Sequence, residues 1–359
     1  MPIKGISKLS MQLQQRINAF ITLGQFLSQF ASDEVEKHEE IPQNDNFFEG
    51  MNNLLNTAGH YNGWFTKSNV QFACKNWSEA LSAGNLTQWM ANYTFSEMRP
   101  KTIAVIMAGN VPLVGFHDFL SVLITGHKLK VKLSSNDTQL LPYLATYLLA
   151  IEPGFKDRII FSEDRLTGFD AVIATGSNNT ARYFDYYFGK YPHIIRKNRN
   201  SVAILSGNES SEQLEALAKD VFQYFGLGCR NVSKLFVPKA YNFDAFFNGM
   251  YTWKEMINNH KYMNNYDYNK AVYLMSNIKL LDNEFLLLKQ DEGYASPISV
   301  VFYEYYTNLE ALTERLHDEQ EQIQCIVSDN HTAFGAAQSP NLWDYPDGVD
   351  TVDFLLKLT

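Results

Sequence analysis

Apolar residues in the first hundred positions recur at helical spacing. Leu9, Leu13, Ile17 and Ile21 fall every fourth residue, and "NFFEGMNNLLNTAG" and "NVQFACKNWSEALS" keep the same rhythm. This predicts a helical region over 1–100. The pattern changes at residue 101. Short apolar runs rich in β-branched residues, "KTIAVIMA", "KLKVKLSS", "RIIFSE", "DAVIATGS" and "SVAILSG", alternate with helical stretches. Those stretches are "GFHDFLSVLITGH", "LLPYLATYLLAI", "NTARYFDYYFGK" and "SEQLEALAKDVFQYFG", the last capped by Ser210 or Ser211. Buried strands alternating with helices imply a mostly parallel sheet covered on both faces, with ligands at the carboxyl ends of its strands. Three strands end in small or polar residues, at "GNVP", "KLSS" and "ATGS". The alternation restarts after Cys229 with "SKLFVP". An aromatic-rich helical section (Phe243 to Met275), the strand "PISVVFYEYY", the helix "LEALTERLHDEQEQ" and the strand "IQCIVSD" follow. The chain therefore divides at 101–228 and 229–340 into two α/β units, the second smaller. A segment over 341–359 ends in "TVDFLLKL", read as an exposed apolar strand able to pair across subunits.

Composition narrows the function classes. The 359-residue chain carries a net charge of −9, which argues against a nucleic-acid binder with a basic face. Three cysteines without paired spacing make a poor disulfide framework and point to a reducing, cytoplasmic setting. CxxC, HExxH and close histidine pairs are missing, so no metal site is expected. The N-terminus lacks the continuous apolar core of a signal peptide, and no segment approaches the roughly 20 apolar residues of a membrane span.

The candidate chemistry centres on "YFGLGCRNVSKLFVP". Cys229 lies at the border of the two α/β units, beside Gly226 and Gly228, which permit sharp turns and close approach of a ligand. A lone cysteine is more often a small buried hydrophobe, and Cys74 and Cys325 read as core. A thiolate, however, suits acyl groups, because the thioester it forms stays reactive. Thr175, Gly176 and Ser177 stand where a strand gives way to a helix, a place for a pyrophosphate or for an ordinary N-cap. The GxGxxG fingerprint is missing. Lys132 ends a strand on the same sheet edge and suits a ribose or phosphate, or plain solvent. Asn110 offers an amide to an oxyanion, or serves as a turn residue. His117 and His193 are the histidines that a cysteine hydrolase would use as base, and nothing in their spacing selects either.

The order of these landmarks, "IAVIMAGNVP", "KVKLSS", "ATGS" and then the solitary Cys229, resembles that of the aldehyde dehydrogenase superfamily. Within it, the chain is most similar to the acyl-CoA reductases related to the fatty-acid reductase of bacterial bioluminescence. "RKNRNSVAIL", "GLGCRNVSKLFVP", "HKYMNNYDYNKAVYL" and "SPNLWDYPDGVDTVDFL" carry that likeness over about residues 100–359. The resemblance implies an aldehyde-dehydrogenase-like α/β fold. A Rossmann-type NAD(P)-binding domain would span 101–228 and a smaller catalytic domain 229–340. The helical region 1–100 would pack on the first of these, and 341–359 would return to it or form an oligomer interface. It further implies reduction of an acyl thioester to an aldehyde by NADPH or NADH through a covalent thioester on Cys229. Asn110 and the Cys229 backbone N–H would hold the oxyanion. Thr175, Gly176 and Ser177 would lie near the pyrophosphate and Lys132 near the adenosine ribose, with Ser134 and Glu292 also binding cofactor. The expected partners are an acyl-CoA or acyl-carrier substrate, an acyl-donating enzyme and further copies of the chain.

Two departures from the superfamily bear on the reaction. Hydrolytic members carry a glutamate in a "LELGGK"-like segment, whereas "IIRKNRNSVAIL" has no acid, which favours reduction over release of an acid. Ser135 stands where NAD-preferring members have a ribose-binding glutamate, so NADPH is expected to be accepted unless nearby Asp137 intervenes. The competing expectations are an aldehyde-oxidising dehydrogenase and a degenerate member that binds without catalysis.

Overall fold

The amphipathic rhythm of the N-terminal region builds four helices, α1 (Leu13–Ser28), α2 (Asn44–Tyr61), α3 (Lys67–Ala80) and α4 (Ala83–Met90). The computed structural model describes residues 11–95 and 99–358, so Leu9 lies outside the described residues. On α1, Ile17, Phe20, Leu23 and Leu27 are buried at intervals of three and four, forming one apolar stripe.

The first sheet consists of β1 (Thr102–Ile106), β2 (Lys128–Lys132), β3 (Ile159–Phe161), β4 (Ala171–Thr175) and β5 (His193–Arg196). All pairs are parallel, in the order β3-β2-β1-β4-β5. The crossovers are α5 (Phe116–Ile124), α6 (Leu140–Ile151) and α7 (Asn178–Phe188). The four N-terminal helices join α5 and α6 in one apolar core against this sheet, while Phe184 and Phe188 of α7 cover Ala104, Val172 and Ala174.

The second sheet runs β11-β6-β7-β10-β9-β8 and is parallel except for its β8–β9 pair. It contains β6 (Asn200–Ile204), β7 (Val232–Pro238), β8 (Leu280–Asp282), β9 (Leu287–Gln290), β10 (Val300–Tyr306) and β11 (Ile323–Val327). Its helices are α8 (Ser211–Phe222), α9 (Phe243–Met250), α10 (His260–Met275) and α11 (Leu309–Asp318), with α12 (Thr351–Leu356) closing the chain. Ser210 caps α8 in a capping box with Gln213, as the sequence suggests. Together these elements form a two-sheet α/β fold with a helical N-terminal region. No helix among the described residues is long and apolar enough to cross a membrane.

Two expectations need correction. "TVDFLLKL" is the helix α12, not an exposed strand: Asp350 caps it, and Val352 and Leu355, three apart, bury in the core of the first sheet. Its apolar residues are used within the chain and offer no free strand edge. "RIIFSE" forms the edge strand β3, with Ile160 and Phe161 exposed rather than buried.

Candidate functional site

Only residues 197–199 separate the carboxyl end of β5 from the amino end of β6. The carboxyl edge of the first sheet is thereby brought to the amino edge of the second, where the loop preceding β7 carries Cys229. Ile106 pairs with both Lys132 and Ala174, so "GNVP", "KLSS" and "ATGS" all leave the sheet on this edge.

The first two of these loops are in contact. A Cβ on Gly109 would lie 2.7 Å from both Cβ and Oγ of Ser134, so only glycine fits there without displacement. Asp137 is buried between them and accepts the backbone N–H groups of Leu113 and Leu140. Burial pushes its carboxyl up to about 6 against those two hydrogen bonds. The carboxylate is thus turned inward, to hold the loop. Ser135 and Asn136 line a cleft with Leu54, Tyr61 and Phe65. Lys132 makes one long contact, 3.5 Å to the carbonyl of Asp164. Ser177 is the N-cap of α7, its Oγ accepting the N–H of Thr180 at 3.2 Å.

The nucleophile loop begins where α8 ends. Tyr224, Phe225 and Gly226 all take positive φ (56°, 60° and 76°), a conformation that costs a non-glycine residue about 1 kcal/mol. The rings compensate: Phe225 packs on Trp64, in the turn between α2 and α3, and Tyr224 on Phe72 of α3. Asn231 ties the rest together. Its Oδ1 accepts the N–H of Gly228 at 2.8 Å, and its Nδ2 donates to the carbonyls of Asp220, Val221 and Gln223 at 3.1, 3.2 and 2.8 Å. Ser201 at the start of β6 donates to the Cys229 carbonyl at 2.9 Å, and Cys325 Sγ lies 3.2 Å from the same Ser201 Oγ. Cys325 is therefore half-buried beside the site rather than core; Cys74 is fully buried.

Asn110 reaches across from the first sheet. Its Nδ2 donates to the carbonyl of Leu227 at 2.7 Å, two residues before Cys229. An amide nitrogen carries two N–H groups, so one is left for another acceptor. Cys229 is exposed, but desolvation of its sulfur by the surrounding loops pushes the thiol up to about 11. Arg230 opposes that rise, while Asp347 and Cys325 add to it.

Other candidates stay apart. His117 is half-buried against Trp89 and Tyr345, and its Nε2 faces the carbonyl of Leu342 at 2.9 Å. His193 begins β5, at the end of the strand away from the site, and its ring faces the Tyr191 carbonyl. Neither histidine hydrogen-bonds Cys229 among the described residues. Glu292 is exposed beyond β9; its loop is held to β7 by Lys234, which donates to the Asp291 carbonyl, and by Ser233, which donates to the Tyr294 carbonyl. It makes no described contact with the nucleophile loop. The stretch "IIRKNRNSVAIL" presents bases, with Arg196 in a buried ion pair with Asp118.

Comparison with known proteins bears on the fold and the family. Among solved structures, the fold matches an oxidoreductase from Marinobacter aquaeolei (TM-score 0.58, 11% identity, 87% of this chain and 72% of that one). It also matches an aldehyde dehydrogenase from Bacillus cereus (0.56, 13%, 89% and 72%). A third match is the indole-3-acetaldehyde dehydrogenase of P. syringae, solved with NAD+ and IAA (0.56, 13%, 85% and 69%). No curated protein sequence matches significantly. The family profile described as acyl-CoA reductase (LuxC) matches residues 10–246, from α1 through the nucleophile loop and β7 into α9. With two thirds of its length matched and a dehydrogenase fold around an exposed cysteine, the chain belongs to the LuxC family of acyl-CoA reductases.

Proposed function

We propose that this protein is an oxidoreductase that reduces an acyl thioester to an aldehyde, with NADPH or NADH as reductant. The observation that carries the reading is that an amide donor from the first sheet is tied to the loop of an exposed cysteine at the edge of the second, by the Asn110–Leu227 hydrogen bond. Cys229 attacks the acyl carbon and expels the thiol carrier, leaving the acyl group as a thioester on its sulfur. The free N–H of Asn110 and the Cys229 backbone N–H hold the developing oxyanion; one such donor is typically worth about 10²–10³ in rate.

The residues at the carboxyl edge of the first sheet fit a dinucleotide. The first backbone N–H groups of α7 have no acceptor within the helix, which suits a pyrophosphate. Lys132 is available for the adenosine ribose and Ser134 lies beside it. With Asp137 turned inward, nothing acidic in the "SSND" loop opposes a 2′-phosphate, which supports acceptance of NADPH. The cofactor supplies hydride. The basic stretch at residues 196–199 carries no acid of its own, and the carboxylates described against it are already held, Asp118 by Arg196 and Asp347 of the C-terminal segment by Arg199 and the backbone N–H of Lys197, which favours an acyl-enzyme that waits for hydride. Of the two histidines that could serve a cysteine hydrolase as base, one is half-buried on its own partners and the other sits at the far end of β5. Coenzyme A esters, acyl carriers and an acylated partner enzyme all present the same thioester.

The test follows absorbance at 340 nm with NADPH or NADH and acyl-CoA esters of several lengths, beside a Cys229→Ala control. Oxidation that needs both ester and Cys229, with aldehyde as product, supports the reading. Turnover of esters without nicotinamide, or aldehyde oxidation with release of free acid as the faster reaction, refutes it.

A further inference from the structure

The peptide units around Cys229 are held one by one. Asn110 Nδ2 donates to the Leu227 carbonyl at 2.7 Å and Asn231 Oδ1 accepts the Gly228 N–H at 2.8 Å, so both ends of the unit that joins Leu227 to Gly228 are gripped. In the next unit the Gly228 carbonyl accepts the N–H of Asn231 at 3.0 Å, while the Cys229 N–H meets no acceptor on another residue among those described. In the third, which joins Cys229 to Arg230, the carbonyl accepts the Ser201 hydroxyl at 2.9 Å. Peptide units are rigid planes hinged at the Cα atoms, so fixing the planes on either side restricts where the free Cys229 N–H points.

Both strands beside Ser201 carry an extra residue at its level. Ser201 pairs with Val232 and Val202 with Lys234, which leaves Ser233 unpaired on β7. On the other side Asn200 pairs with Ile323 and Ser201 with Cys325, which leaves Gln324 unpaired on β11. Such bulges re-aim side chains, and they gather beside active sites. The two extra residues turn to neighbouring loops: Ser233 Oγ donates to the Tyr294 carbonyl at 2.8 Å, and Gln324 Oε1 accepts the Asp347 N–H at 3.1 Å. Between them Ser201 is fully buried. The Cys325 thiol donates to its Oγ at 3.2 Å, which leaves the single hydroxyl proton for the Cys229 carbonyl.

We propose that Ser201 is a positioning residue for the nucleophile: its hydroxyl fixes the peptide unit after Cys229 and so keeps the Cys229 N–H aimed at the developing oxyanion. The proposal rests on the acyl-transfer reading above. Being fully buried, Ser201 acts through the backbone of Cys229 rather than on the substrate. Without the hydroxyl, the Cys229 carbonyl loses its partner and the unit is free to turn about the Cα atom. The thiol itself stays in place and exposed, so its simple chemistry survives while the oriented reaction suffers.

The test separates two reactions of the same thiol in Ser201→Ala, with thermal melts as folding controls. Acylation of Cys229 by octanoyl-CoA or palmitoyl-CoA, without nicotinamide, is followed in single turnovers by intact mass. Alkylation by iodoacetamide, which needs no oxyanion donor, is followed by peptide mass spectrometry. Expected is a maximal acylation rate at least about tenfold lower, part of the 10²–10³ that a lost donor costs, at a half-saturating ester concentration within about twofold of wild type. Alkylation should stay within about twofold of wild type, a split between the two reactions that a merely loosened fold would not give. Acylation of Ser201→Ala as fast as wild type, or an equal slowing of both reactions, would overturn the proposal. A wild type that neither ester acylates would overturn the reading above, and this proposal with it.

Discussion

Replacing Asn231 by alanine removes the side chain that holds the nucleophile loop to the end of α8. One loop N–H, that of Gly228, and three carbonyls lose their shared partner. Asn231 is 3% exposed, so water replaces these bonds poorly. Each buried group left unpaired costs about 1–3 kcal/mol, but Gln338 Nε2 also approaches the Asp220 carbonyl, which spares part of the loss. The expected net destabilisation is about 2–4 kcal/mol, below the 5–15 kcal/mol of a typical domain, so the protein should still fold. Urea unfolding followed by tryptophan fluorescence should show a lower midpoint with an unchanged slope. Cys229 alkylation should change in the folded variant, because the Gly228 anchor beside the thiol is gone. A stability within about 0.5 kcal/mol of wild type, with unaltered alkylation, would refute the assignment of Asn231 as the loop's anchor.

Other consequences follow from single contacts. Gly109→Ala should push the Ser134 loop away and cost about 1–3 kcal/mol in a urea titration, with weaker nicotinamide binding by fluorescence titration if that loop holds cofactor. Arg196→Met should cost about 3–5 kcal/mol by stranding buried Asp118, and pairing it with Asp118→Leu should recover much of the loss in thermal unfolding. Asp137 holds its proton more tightly in the folded than in the unfolded chain. Its contribution to stability therefore falls by about 3 kcal/mol as pH rises from about 4 to 6, and urea midpoints across that range should lose part of this slope in Asp137→Asn.

What could be read in the sequence follows from how local each signal is. The central strands β1 and β4 of the first sheet and the helix α8 announce themselves by apolar runs and a capping box, because burial on both faces and backbone capping leave marks within ten residues. The short strands β5, β8 and β9 do not, since three or four residues set no period. "TVDFLLKL" misleads because its apolar run is short, and only the burial of Val352 and Leu355 on one side reveals a helix. At the site, Cys229 and Asn110 are visible as a lone thiol between glycines and an amide at a strand end. Asn231 carries a faint local signal as a polar residue opening an apolar strand. Asp347 carries none, for its place beside residues 197–199 is made by a chain return of more than a hundred residues. Ser201 likewise reads as an ordinary strand residue until β11 and the nucleophile loop are brought to it.

The most direct test of the account is to incubate the protein with a fatty acyl-CoA in the absence of nicotinamide and locate any acyl group by peptide mass spectrometry. The account predicts one hydroxylamine-labile acyl group per chain, on the peptide containing Cys229, lost in Cys229→Ala and discharged as aldehyde when NADPH or NADH is added. An acyl group on Cys74 or Cys325, or one on Cys229 that nicotinamide leaves in place while water releases it as free acid, would contradict the account.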